Sequence, residues 1–171
     1  AANANILIQN NLCRYNDGNG IHYEISERGL IRNNVCIQNK GRGIYLSSSS
    51  DTIILHNLCI SNGQSGICSL GVNRAGGFSV DPETGYEPAR NNIIWGNILM
   101  ENCHPDLAPA GPDHTGNPWT KRPELILPDP RISSNTGCVS DYNLFWRASG
   151  RAMPFWHNWG AEIFSDLEDW Q

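Results

Sequence analysis

No run of about 18 consecutive apolar residues occurs in the chain, which excludes a membrane-spanning helix and leaves no membrane partner to expect. No signal-peptide pattern opens it either. Ala1-Ala2-Asn3-Ala4 reads as a start in mid-architecture, so a mature or truncated product is the expectation. Positive charge is scarce: the formal net charge is -5, which argues against a generic nucleic-acid binder. No phosphate-cradling glycine loop is present, because Gly18-x-Gly20 and Gly41-x-Gly43 read as chain turns. No Ser-His-Asp order supports a nucleophile, and the Ser47–Ser50 run reads as an exposed strand edge and turn. Gly, Asn and Pro are abundant instead, which suits short strands joined by tight turns.

Three cysteines, Cys13, Cys36 and Cys59, fall 23 residues apart, and their surroundings repeat in step. Ile8-Gln9-Asn10-Asn11-Leu12-Cys13 aligns with Ile31-Arg32-Asn33-Asn34-Val35-Cys36 and with Ile54-Leu55-His56-Asn57-Leu58-Cys59. Downstream, Asn16, Asn39 and Asn62 align, then Gly20-Ile21, Gly43-Ile44 and Gly66-Ile67. A period of this length marks a solenoid whose coils bury a core only against their neighbours. Each coil reads as three short strands divided by an Asn-rich corner and a Gly turn. In the third strand, period-two alternation puts Ile21, Tyr23, Ile25, Ile44 and Leu46 inside. His22, Glu24, Tyr45, Ser47, Cys68 and Leu70 then face outward. Asn11, Asn34, Asn57 and Asn97 form one expected ladder of stacked amides, and Asn16, Asn39, Asn62 and Asn102 another. Asn also tolerates the left-handed backbone that sharp corners require.

Six cysteines invite a disulfide framework. Equivalent positions on successive coils stack about 4.8 Å apart, however, whereas bridged Cβ atoms sit about 3.8 Å apart. Cys13, Cys36 and Cys59 therefore read as a buried thiol column, continued by Leu99. Cys68, Cys103 and Cys138 are off this register, and Cys103–Cys138 is a candidate bridge closing the long loop between them.

After Leu70 the spacing breaks, and Ile94-Trp95-Gly96-Asn97-Ile98-Leu99 resumes it, so residues 71–90 contain an insertion of about 17 residues. A second excursion, 104–136, is rich in Pro, Asp and His, and Val139–Phe145 reads as a last coil with Asn143 in the Asn97 position. The helical domain is thus expected over 1–146, in about four to five coils, followed by an aromatic tail, 147–171, that packs on or caps it. Ser165 and Glu168 pair as a capping box, as if a helix starts there and the parent chain continued.

The pattern Ile-x-x-Asn-x-Cys/Leu-x-x-Asn…Gly-Ile-x-Leu of residues 31–46 resembles the repeat of the right-handed parallel β-helix proteins, the pectate-lyase-like superfamily. The resemblance covers about 4–99 well and 138–146 weakly, and the closing Ser140–Phe145 and Leu167–Gln171 stretches are similar to the ends of secreted bacterial members. It implies an all-β parallel β-helix, a secreted or periplasmic setting and a polysaccharide or oligosaccharide partner. It leaves the activity open among pectate and alginate lyases, polygalacturonase-like hydrolases, epimerases and non-enzymatic adhesins. The chain departs from the family in lacking an N-terminal cap helix, the calcium-binding Asp clusters and the paired Asp motifs. Open strand edges at the first coil invite self-association end to end.

Glycoside hydrolysis uses two carboxylates, and the outward strand face offers only Glu24. A partner would come from Asp81, Glu83 or Glu87 of the first insertion, which leaves about two coils, or about 10 Å, away. His22 shares the face and could tune Glu24 or bind sugar. β-Elimination needs a base and a cation for the uronate carboxylate, for which His22, Tyr45 and Arg42 are candidates. Tyr45, Tyr86 and Trp95 are candidate sugar-stacking rings, or anchors of core and loop. An outward glutamate on a solenoid also serves simply as solvated charge, and a non-catalytic binding module is the competing reading. The mildly basic first 50 residues, with a balance of +2, suit an anionic polymer or ordinary surface charge. His104, Asp106, Asp113 and His114 match no established ligand spacing, so neither a metal nor a cofactor is expected.

Overall fold

The computed structural model of the chain describes residues 3–73, 86–87, 89–110, 124–127, 137–148, 155–156 and 163–164. Three parallel sheets run along one axis. The first sheet stacks Leu7–Gln9, Leu30–Arg32, Ile53–Leu55, Ile93–Trp95 and Val139–Asp141. The second stacks Leu12–Arg14, Val35–Ile37, Leu58–Ile60, Ile98–Met100 and Leu144–Trp146. The third stacks Ile21–Glu24, Ile44–Ser47, Ile67–Leu70, Leu125–Ile126 and Phe155–Trp156, and closes with antiparallel Ile163–Phe164. The chain is a parallel β-helix of about five coils, with its hydrogen bonds running between coils. The aromatic tail thus lends two strands to the third sheet; the capping-box residues lie outside the described residues.

The register follows the repeat. Cys13, Cys36, Cys59, Leu99 and Phe145 are successive partners in the second sheet. They join Ile31, Ile54, Ile94, Ile44, Ile67 and Leu125 in one continuous core. All six cysteines are free thiols, so the Cys103–Cys138 bridge does not form; the Cys138 thiol donates instead to the Ala89 carbonyl, 3.3 Å away. The Cys36 thiol and burial together push the Cys59 thiol well above its ordinary pKa, which keeps it un-ionised and inert.

Both asparagine ladders form, and Asn143 extends the first, accepting from the Asn97 amide at 2.9 Å. The left-handed backbone, however, belongs to the residue before each ladder position. Asn10, Asn33, His56, Gly96 and Tyr142 have φ of 53° to 61°, and Tyr15, Gln38, Ser61 and Glu101 behave alike. Bending one residue early points that side chain to solvent and turns the next one, the ladder asparagine, inward. The Gly turns serve the same ladders. A Cβ at Gly43 would lie 2.5 Å from the Gly66 carbonyl oxygen and 3.0 Å from Asn62 Nδ2, so only glycine lets the amide approach.

Three readings of the sequence are corrected. Ile25 is not core: its φ of 45° breaks the alternation, and Ser26 turns inward in its stead. Ser47, Ser48 and Ser49 are buried rather than exposed, Ser49 Oγ bonding the Tyr23 and Ser47 carbonyls. Residues 124–127 belong to a coil rather than to a long loop, since Leu125 pairs with Ile67 and Ile126 with Cys68. The first insertion begins and ends as an antiparallel ribbon, Val72–Asn73 against Tyr86–Glu87.

Candidate functional site

The third sheet carries the candidate site because its outward positions fall in register. His22 and Tyr45 are strand partners, as are Glu24 and Ser47. The His22 and Tyr45 rings stack with centroids 4.9 Å apart and planes 19° apart. Arg42, at the Gly turn that leads into Tyr45, sets its guanidinium carbon 4.3 Å from the same ring centroid. A cation at this distance from an aromatic ring contributes about 0.5–1 kcal/mol when exposed and about 2 when desolvated. Arg42 Nε is itself buried, with no hydrogen-bond partner among the described residues. An imidazole, a phenol and a guanidinium are thereby held as one group on the first two coils.

His22 and Glu24 are exposed and Tyr45 is half-buried. Beyond them the face closes. Cys68, Leu70 and Ile126 form a second buried cluster against which Tyr45 packs, and Ser47 is buried too. Alternation correctly gave these residues their outward direction, but an open face does not follow from direction. The accessible part spans two coils, about 10 Å. Asp81 and Glu83 lie outside the described residues, and Tyr86 is placed only as backbone, paired with Asn73. Trp95 stands on a different face, on the first sheet, where its ring meets that of Tyr142 at 4.5 Å. The third sheet thus brings His22, Glu24, Tyr45 and Arg42 together and leaves Trp95 out.

The sequence pattern that defines the family described as "right handed beta helix region" matches residues 1–104. The chain belongs to this right-handed β-helix family. No curated protein matches it. Among solved structures, the A-module of mannuronan C-5 epimerase AlgE4 from Azotobacter vinelandii is similar, with a TM-score of 0.50 and 15% identity. That match covers 92% of this chain and 38% of the epimerase chain, so this β-helix spans well under half of that structure. At such identity the likeness is one of fold.

A buried carboxylate was not anticipated. Glu124 precedes Leu125 as Gly20, Gly43 and Gly66 precede their isoleucines, and its carbonyl accepts from Ile67 N at 3.1 Å. Its side chain turns inward and ends the second ladder, one oxygen accepting from Asn102 Nδ2 at 2.6 Å and the other from Arg147 Nε at 2.7 Å. The signal lay in the sequence: Leu125-Ile126-Leu127 is an apolar run inside an otherwise polar, Pro-rich stretch. Burial raises the Glu124 pKa, against the opposing pull of Arg147 and Asn102.

Proposed function

We propose that this β-helix contacts a uronate-containing polysaccharide on the open two-coil face of its third sheet. The observation that carries this reading is the stack of Arg42, Tyr45 and His22. A uronate carboxylate is matched by the Arg42 guanidinium, and the Tyr45 ring offers an apolar edge to the sugar. His22 is the base this reading assigns to the proton at C-5, whose acidity rises when the neighbouring carboxylate is neutralised. Loss of the 4-linked oxygen from the resulting carbanion, protonated by His22 or water as it leaves, gives an unsaturated chain end and a free hydroxyl on the other fragment. Return of a proton from the other face gives the epimer. Fold likeness to an epimerase that acts on mannuronan supports a carbohydrate partner in the broad sense.

Glycoside hydrolysis through Glu24 would need a second carboxylate within about 10 Å, for which Asp81 and Glu83 remain the proposed partners. A non-catalytic contact is favoured by one observation, the burial of Cys68 and Leu70 where the face would otherwise continue. A secreted or periplasmic setting fits such a partner.

The test is incubation with alginate and polygalacturonate in deuterated water. An ultraviolet-absorbing product indicates elimination, deuterium at C-5 without one indicates epimerisation, and reducing ends alone indicate hydrolysis. Arg42→Gln is expected to weaken binding to either polymer about 10- to 100-fold, the worth of a hydrogen bond to a charged group. His22→Ala is expected to abolish turnover with binding retained. Unaltered binding by the Arg42 variant in an affinity gel would sink the carboxylate contact.

A further inference from the structure

A second concave site lies at the Gly turns, beside the stack but off the strand face. It is an open cleft of about 600 Å3. Asp17, Asn19, Lys40, Arg42 and Gln64 from three successive coils line one side, and the Asp106–Ala110 segment lines the other. The opposing wall is fixed by backbone contact. His104 N donates to the Asn62 carbonyl at 2.9 Å, and Ala108 N to the His104 carbonyl at 2.9 Å. A Cβ on Gly63 would come within 2.5 Å of the Leu107 carbonyl oxygen, so the coil and the segment touch where any larger residue would part them.

Polar atoms without partners concentrate here. Among the described residues, the buried side-chain atoms lacking a hydrogen bond are Arg42 Nε, Gln64 Oε1 and Ser65 Oγ. Arg42 and Gln64 line the cleft, and Ser65 is the next residue along. Each such atom costs about 1–3 kcal/mol if left unmet, so the two that belong to lining residues mark the cleft as a place where a bound molecule supplies bonds.

The lining charge decides the ligand. Two cations, Lys40 and Arg42, face two carboxylates, Asp17 and Asp106, and Lys40 is already paired with Asp17 at 2.6 Å. The cleft as a whole is neutral, yet dense in donors and acceptors, with Leu107, Ala108 and Pro109 as an apolar patch. Vicinal hydroxyls, each donating and accepting at once, satisfy such a lining, whereas a carboxylate meets Asp106 while Lys40 is held by Asp17 and the Arg42 guanidinium lies on the Tyr45 ring. The volume lies within the range of small-molecule sites, about 300–1,000 Å3. We infer that this cleft binds a neutral sugar ring, either as free saccharide or as a unit of a longer chain.

The cleft shares Arg42 with the strand face, and the test tells the two apart by where the shifts fall. Titrating the intact chain with glucose, mannose and glucuronate at millimolar concentration, and following backbone amides by NMR, is expected to shift Gly41, Gly63 and Leu107 with a neutral hexose. Gln64→Leu is expected to weaken that binding about tenfold, one hydrogen bond's worth. Asp106→Asn, at an exposed position, serves if the Gln64 variant does not fold, with the same loss expected. Tighter binding of a neutral oligosaccharide than of its monomer assigns the cleft to a chain unit, and equal affinity assigns it to free saccharide. Shifts confined to His22 and Tyr45, shifts with glucuronate alone, or none with any hexose would each overturn the inference.

Discussion

Replacing Arg147 by methionine is expected to destabilise the protein by about 3–5 kcal/mol at neutral pH. Arg147 and Glu124 are both buried, their side chains only 2% and 1% exposed, and Nε meets the carboxylate at 2.7 Å. The pair closes the second asparagine ladder, where the Asn102 backbone and side-chain amides donate to the same carboxylate at 3.1 Å and 2.6 Å. Removing the guanidinium leaves a carboxylate in the core with amide donors but no counter-charge. The sign of the pH dependence follows from the raised Glu124 pKa, which loses one of its lowering influences in the variant. A carboxyl whose folded pKa lies above its unfolded one contributes most below the ordinary glutamate range. That contribution is lost as pH rises through the folded value. The gap between wild type and variant should therefore be widest at neutral pH and narrow in acid. Urea unfolding across a pH series measures it. Adding Glu124→Gln to the variant should recover most of the loss at neutral pH, because the uncompensated charge is then gone. A gap that does not narrow in acid, or a double variant no better than the single one, would show that packing rather than charge governs this end of the ladder.

Why Glu124 escaped a reading of the repeat is a matter of length. The first three coils keep one 23-residue spacing, so Cys13, Cys36, Cys59 and both ladders were legible as columns, and so was the partnering of His22 with Tyr45. The coil that holds Leu125 is interrupted by non-repeating chain on both sides, and there the count offers nothing. The cleft was hidden for a related reason. One wall repeats, through Asn19, Arg42 and Gln64, while the other comes from Asp106–Ala110, whose docking no spacing foretells. Alternation gave Cys68 and Leu70 their direction but not their cover, and so the open face is shorter than the set of outward residues. The left-handed corners were displaced by one residue because the tolerance of Asn for that backbone and its use as a ladder rung suggest the same position. The chain assigns them to neighbours.

Asn57 is the position where these columns can be broken most sharply. Its Oδ1 accepts from Asn34 N at 3.0 Å and Asn34 Nδ2 at 3.0 Å. Its Nδ2 donates to the Ile31 carbonyl at 3.0 Å and to Asn97 Oδ1 at 3.0 Å. Leucine has the same branched shape with bulkier methyl groups and can offer none of these. Asn57→Leu strands at least the Asn34 backbone N–H in the core and removes a donor from the Ile31 carbonyl, at about 1–3 kcal/mol for each group left unmet. A loss of about 3–6 kcal/mol is expected. Asn11→Leu, at the exposed end of the same ladder, should cost about 1 kcal/mol or less, since water replaces the bond its amide gives Asn34. Position along the solenoid also sets what unfolds. Stability here is a chain of neighbour terms, and the cut falls between the second and third coils. Amides of the first two coils, which carry His22, Arg42 and Tyr45, should exchange with solvent before those around Ile94 and Leu99, and the carbohydrate contact proposed for that face should fail before the far coils melt. Hydrogen exchange read residue by residue separates this from uniform loosening: equal loss of protection throughout would mean that the five coils unfold as one unit and that the ladder does not hold them pairwise.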